Sequence, residues 1–139
     1  MRRLLGVMSL GPALALVPPP QVVVRRGVHS MLPPHLAEAQ ELIKTGEARL
    51  VDVREVNEWT SAHFKSAQLV PLSELQRGKC PPELMEDQTR RLYLHCAGGV
   101  RVHPAKAIFG SLGFDDVVAL GESMAELYEQ RFDELADRE

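Results

Sequence analysis

Strand-like runs alternate with helix-like segments from residue 32 to the end of the chain, and this alternation limits the fold more than any other feature. Short runs rich in apolar and β-branched residues predict four strands, at residues 49–53, 68–70, 91–95 and 116–120. Apolar residues at helical spacing predict helices that begin at Pro33 and end at Gly46, and further helices over 55–61, 101–112 and 124–136. Chains with this order build a parallel sheet with crossover helices on both faces. We therefore predict one α/β domain over residues 31–139.

Composition excludes several classes of protein. With 139 residues, 45% hydrophobic and 25% charged, the chain has the balance of a single globular domain. Its 2 cysteines form no C-x-x-C pair, and its 5 histidines include no pair at i, i+4, so we expect no metal site and no cofactor. The net charge of -3 gives no basic stripe, so no nucleic-acid partner is expected.

Residues 1–30 differ from the rest because they contain four arginines and no acidic residue. Their apolar run is interrupted by Pro18, Pro19 and Pro20 and is shorter than the roughly 20 residues that span a bilayer, so no membrane anchor is expected. A mitochondrial presequence accounts for the second arginine pair, at 25–26, which a secretory signal cleaved near residue 15 leaves unexplained. We predict a targeting segment over 1–30 and a mitochondrial location. Secretion and an unprocessed cytoplasmic chain are the alternatives.

The stretch with the most chemistry is the loop between the third strand and the next helix. Cys96 lies just past the carboxyl end of that strand, where open α/β sheets bind ligands. Gly98 and Gly99 let backbone amides converge on one point, and the following helix adds its positive end. This arrangement favours a thiolate and predicts a nucleophile. Arg101 closes the loop, either to hold an oxyanion or to fasten the loop. The structural alternative is a small buried cysteine in an ordinary turn.

Several ordered motifs resemble those of a single-domain rhodanese, a sulfurtransferase module. They lie at residues 50–59, 62–63, 95–101, 112–114 and 118–121. The resemblance extends from Leu36 to about Glu122 and implies a five-stranded parallel sheet with helices on both faces. It also implies a cysteine that takes sulfane sulfur from a donor such as thiosulfate, holds it as a persulfide, and passes it to cyanide or a thiol. A protein is a further candidate acceptor.

The same resemblance assigns roles in the loop. By match, Cys96 is the persulfide carrier. The residues that follow it are the substrate-binding cradle: Ala97, Gly98, Gly99, Val100 and Arg101. A phosphatase or arsenate reductase of the Cdc type is a rival within this fold, but those enzymes place five residues between cysteine and arginine where this chain has four. A noncatalytic binding module is the other alternative, because a fold alone does not determine function.

Charged residues near the first strand have structural interpretations as well as functional ones. Asp52 and Arg54 point to the same side of their strand, and we expect a buried ion pair because buried charges persist when paired. Glu55 and Glu58 begin a short helix. Either they interact with the dipole of that helix, or they line the mouth of the pocket.

Two histidines and the second cysteine are not assigned to catalysis. His63 is expected to be a structural hydrogen-bonding residue. Strand alternation turns His95 to the face opposite Cys96. Cys80 lies in a loop between the second and third strands, and a resolving role would require it to be exposed and near the nucleophile.

Overall fold

The domain is built on a parallel sheet. A computed structural model of the chain describes residues 32–137; the predicted targeting segment lies outside these residues and stays a prediction. The described strands are β1 (Ala48–Asp52), β2 (Ala67–Leu69), β3 (Arg91–His95) and β4 (Val117–Ala119), paired in the order β2-β1-β3-β4. The predicted α/β architecture is confirmed. Within residues 32–137 the sheet has four strands, one fewer than the five that the resemblance implies.

Six helices connect and cover the strands in the described part of the chain. They are α1 (Pro34–Thr45), α2 (Val56–Ser61), α3 (Leu72–Gln76), α4 (Pro82–Met85), α5 (Val102–Ser111) and α6 (Met124–Glu129). The two short helices α3 and α4 were not predicted, because each contains too few residues for a helical period to stand out. None of the helices described is long and apolar enough to cross a membrane.

Two hydrophobic clusters cover the two faces of the sheet. Leu92 and Leu94 of β3 point into a cluster with α3, α4 and α5, whereas Tyr93 points into a second cluster with α1 and α6. This is the alternation expected of a strand whose two faces are both buried. Cys96 continues the side of Leu92 and Leu94 and belongs to the first cluster.

The last helix is shorter than predicted. The apolar spacing predicts a helix to residue 136, but α6 ends at Glu129. Arg131 adopts a left-handed conformation with φ of 59°, and its amide donates to the carbonyl of Tyr128 while the amide of Phe132 donates to that of Leu127. These two bonds form a Schellman motif, which normally uses glycine at the left-handed position. The prediction was wrong because no glycine marks this end.

Candidate active site

Cys96 follows the last residue of β3 and is fully buried. Its sulfur accepts a hydrogen bond from the backbone amide of Gly99, with 3.1 Å between N and Sγ. Ala97, Gly98 and Val100 are exposed, so the loop presents its outer side to solvent while Gly99 turns inward. The predicted loop residues are therefore close together, and one amide already faces the sulfur. Their roles in binding substrate remain predictions.

The conformation of Gly99 depends on the absence of a side chain. Its φ is 79°, in the left-handed region, and a Cβ there would lie 2.9 Å from the carbonyl carbon of Gly121 and still closer to its oxygen. The segment after β4 thus packs directly on the cysteine loop. A second contact holds the two together, because the amide of Met124 donates to the carbonyl of Ala97 at 2.9 Å.

Arg101 fastens the loop to α2. Its Nη1 and Nη2 donate to the two carboxylate oxygens of Glu58 at 2.7 and 2.8 Å. The hydrogen bonds from Arg101 lower the pKa of Glu58 to about 2, and Glu58 in turn raises the pKa of Arg101. Of the two roles predicted for Arg101, the structure shows the one in which it fastens the loop. Glu58, predicted either to interact with the helix dipole or to line the mouth of the pocket, contacts the loop through Arg101. The pairing itself was not predicted, although the carboxyl ends of adjacent parallel strands β1 and β3 bring their following segments to one edge.

The predicted buried ion pair at β1 is confirmed. Arg54 donates from Nε and Nη2 to the carboxylate of Asp52 at 2.8 to 3.0 Å, and both side chains are nearly inaccessible to solvent. A further bond from Nη2 reaches the carbonyl of Ala62 at 2.8 Å. This pair stabilises the segment that leads into α2. Among the hydrogen bonds of the described residues, none joins the pair to Cys96.

His95 and His63 both pack against aromatic side chains of the fold. His95 packs against Phe64, with 5.1 Å between ring centroids, on the face opposite Cys96. Neither of its ring nitrogens has a hydrogen-bond partner among the described residues, and burial lowers its pKa. His63 stacks on Trp59 at 3.6 Å, and its Nδ1 lies 2.9 Å from the Trp59 carbonyl oxygen. Both predictions for the histidines are confirmed.

Cys80 is partly buried and packs against the same hydrophobic cluster as Cys96. Both cysteines are free thiols. Burial and the charge of Glu83 raise the pKa of Cys80, which disfavours its thiolate. In the described residues, no group of three or more His, Cys, Asp or Glu side chains is placed to hold a metal ion.

A cavity of about 880 Å³ lies elsewhere, between α1 and the segment that follows α6. Its described lining includes Ile43, Lys44, Tyr128 and Phe132, and none of the residues of the cysteine loop. The cavity is large, but no cysteine is among its described lining residues. We therefore place the candidate active site at the loop, where the Cys96 thiol, the Gly99 amide and the Arg101–Glu58 pair lie.

Comparison with known families assigns the domain. The family model described as "Rhodanese-like domain" matches residues 35–130, which include the sheet, the cysteine loop and all of α6. The chain belongs to the rhodanese-like domain family. The resemblance found in the sequence motifs is thereby confirmed.

Named relatives of this rhodanese-like chain differ in size and in stated activity. It is 37% identical over 83 residues to a tRNA uridine(34) hydroxylase from Hamiltonella defensa, covering 58% of this chain and 23% of that protein. It is 41% identical over 71 residues to a probable adenylyltransferase/sulfurtransferase, MoeZ, from Mycobacterium tuberculosis, covering 51% and 18% respectively. The chain thus spans about a fifth of the length of these curated relatives.

One solved structure matches this chain over most of the length of both proteins. The human single-domain sulfurtransferase TSTD1 superposes with a TM-score of 0.59 at 26% identity, covering 68% of this chain and 92% of that one. The α/β fold with a parallel sheet flanked by helices is therefore shared with a single-domain protein of similar extent.

Proposed function

We propose that this rhodanese-like domain is a sulfurtransferase in which Cys96 carries sulfane sulfur as a persulfide. The observation that carries the proposal is the buried Cys96 sulfur at the end of β3, with the Gly99 amide 3.1 Å away. An amide aimed at sulfur stabilises negative charge on it. MoeZ is named a probable adenylyltransferase/sulfurtransferase and TSTD1 a single-domain sulfurtransferase, and both names support the same chemistry. Because another relative is named a hydroxylase, the activity of this chain needs its own test.

The proposed reaction has two displacements at sulfur. The Cys96 thiolate attacks the outer sulfur of thiosulfate, a new S–S bond forms, and sulfite leaves with the electron pair of the bond that breaks. Cyanide or a thiolate then attacks the terminal sulfur of the persulfide. The product is thiocyanate or a new persulfide, and the Cys96 thiolate is released. Nucleophilic catalysis of this kind divides one transfer into two steps.

The size of the loop favours sulfur over phosphate. Four residues separate Cys96 from Arg101, and the Gly99 amide is already drawn toward Sγ. A phosphoryl group needs donors about 2.7 to 3.1 Å from each of several oxygens, which requires a wider ring of amides. We therefore expect no hydrolysis of aryl phosphates.

The experiment compares Cys96→Ser with Cys80→Ser in the full chain. Wild type and C80S should gain the mass of one sulfur after incubation with thiosulfate and should form thiocyanate from cyanide. C96S should do neither while retaining the far-UV circular dichroism spectrum of the wild type, because a hydroxyl cannot carry sulfane sulfur but fits the same loop. Persulfide that forms on Cys80 instead, or aryl phosphatase turnover as fast as sulfur transfer, would reject the proposal. A wild type that folds but never gains sulfur would indicate a noncatalytic binding module.

A further inference from the structure

The guanidinium that closes the cysteine loop is already engaged by a carboxylate. Both terminal nitrogens of Arg101 donate to Glu58, at 2.7 and 2.8 Å. A planar guanidinium paired with a carboxylate in this way presents no net charge to a third group. The side chain that would be expected to attract an anionic substrate is therefore neutralised by its own neighbour.

Glu58 is held in place independently of Arg101. Its Oε1 accepts a hydrogen bond from the backbone amide of Glu55 at 3.1 Å, at the start of α2. The side chain of Glu55 in turn accepts a hydrogen bond from the Ser73 hydroxyl. A carboxylate that accepts bonds from both a backbone amide and Arg101 resists displacement by an entering substrate. Its low pKa, about 2, also keeps it charged throughout the neutral range.

The charge of Glu58 acts where the sulfur donor must approach. Arg101 ends the loop that begins at Cys96, with four residues between them, and the Gly99 amide of the same loop lies 3.1 Å from the Cys96 sulfur. Arg101 and its partner Glu58 therefore belong to the structure that surrounds the nucleophile, and Glu55 adjoins Glu58 through its backbone amide. A dianion that enters the loop must either displace Glu58 from Arg101 or accept the repulsion of these carboxylates. A donor with one charge fewer experiences about half of that repulsion.

We propose that Glu58 is a specificity-determining residue that makes the site discriminate against dianionic sulfur donors in favour of donors with less negative charge. The inference rests on the proposed sulfurtransferase function and deepens it, since it names the charge class of the preferred donor. Thiosulfate and methanethiosulfonate are suitable probes. Both transfer a terminal sulfur and release a sulfur oxyanion, sulfite or methanesulfinate, but the first is a dianion and the second a monoanion.

The test measures kcat and KM for both donors in wild type and in Glu58→Gln, with cyanide as acceptor. Glutamine keeps the size of the side chain and removes its charge. E58Q should lower KM for thiosulfate relative to methanethiosulfonate by about fivefold to tenfold, the effect of one elementary charge near a partly exposed site. The readout is the ratio of the two KM values, because a loosening of the loop would act on both donors alike.

Glu41→Gln is the matched control for net charge. Glu41 is an exposed residue of α1, which packs on the face of the sheet opposite Cys96. E41Q should leave the ratio of the two KM values unchanged. A second readout uses the wild type alone, where added salt should improve the use of thiosulfate more than that of methanethiosulfonate.

The outcomes separate this inference from the function on which it rests. Suppose that both donors form persulfide on Cys96. An unchanged KM ratio in E58Q, or an equal change of that ratio in E41Q, would then overturn the role of Glu58 but leave the proposed sulfurtransferase function intact. An equal rise of both KM values would do the same, since it would show that Glu58 only holds the loop together. Failure of the wild type to take sulfur from either donor would overturn the proposed function and this inference with it.

Discussion

Replacing Gly99 with alanine tests the geometry on which the cysteine loop depends. The glycine has φ of 79°, and a Cβ would lie 2.9 Å from the carbonyl carbon of Gly121. Both partners are backbone, so no flexible side chain can move aside. Relief requires the two segments to separate by about 1 Å, because carbon atoms pack at roughly 3.5 to 4.0 Å. That movement strains the bonds from Leu120 to Leu94 and from Met124 to Ala97, each 2.9 Å long.

The magnitude follows from two contributions. A non-glycine residue in the left-handed region costs roughly 1 to 2 kcal/mol, and an extra methyl in a packed site costs about 1 to 3 kcal/mol. We therefore expect Gly99→Ala to lower the free energy of unfolding by about 2 to 5 kcal/mol, measured by urea denaturation. The amide that donates to the Cys96 sulfur also moves, and loss of one such donor should slow sulfur transfer by about tenfold or more.

Gly98→Ala is the matched control in the adjacent position. No atom lies within 4 Å of a Cβ at Gly98, and its φ is outside the left-handed region. Its unfolding free energy should remain within about 0.5 kcal/mol of the wild type, as for most exposed substitutions. Stability and rate of G99A equal to those of the wild type would contradict the prediction. Equal destabilisation of G98A would also contradict it, because the effect would then not come from the packing of the loop on Gly121.

Two further predictions concern buried charge. Asp52→Asn leaves the Arg54 guanidinium, only 6% exposed, without its carboxylate partner, and should lower the free energy of unfolding by about 3 to 5 kcal/mol in urea denaturation; a loss below 1 kcal/mol would contradict a buried pair. Burial lowers the pKa of His95 in the folded state. Below about pH 6.5 the unfolded chain therefore binds a proton that the folded chain does not. As the pH falls further, the wild type should lose up to about 1.4 kcal/mol of unfolding free energy per pH unit. His95→Phe should remove this component of the pH dependence, because phenylalanine keeps a ring against Phe64 but binds no proton beside the buried Asp52 carboxylate, 3.6 Å from Nε2 of His95; equal pH dependence in both proteins would reject the argument.

Much of the fold was predictable from local patterns. The first helix and the four strands agree with the structure because each depends on a local apolar pattern. The buried pair of Asp52 and Arg54 agrees as well, because the two residues are only two apart at the end of β1. The end of α6 was not predictable, since Arg131 takes a conformation that sequence patterns associate with glycine. Helices of four or five residues, such as α4, are too short to show a period.

At the candidate site, the sequence by itself determined the candidate nucleophile and its setting. Cys96 lies between a strand and a helix, the two glycines 98 and 99 lie in the loop after it, and an arginine follows after four intervening residues. Its ordered motifs were also enough to indicate the rhodanese-like family. Only the tertiary structure decided which residues the loop meets. Glu58 is 43 residues from Arg101 in the chain, and Gly121 meets Gly99 through the packing of the segment after β4. Such contacts join elements distant in sequence and depend on strand order and register, so no local pattern encodes them.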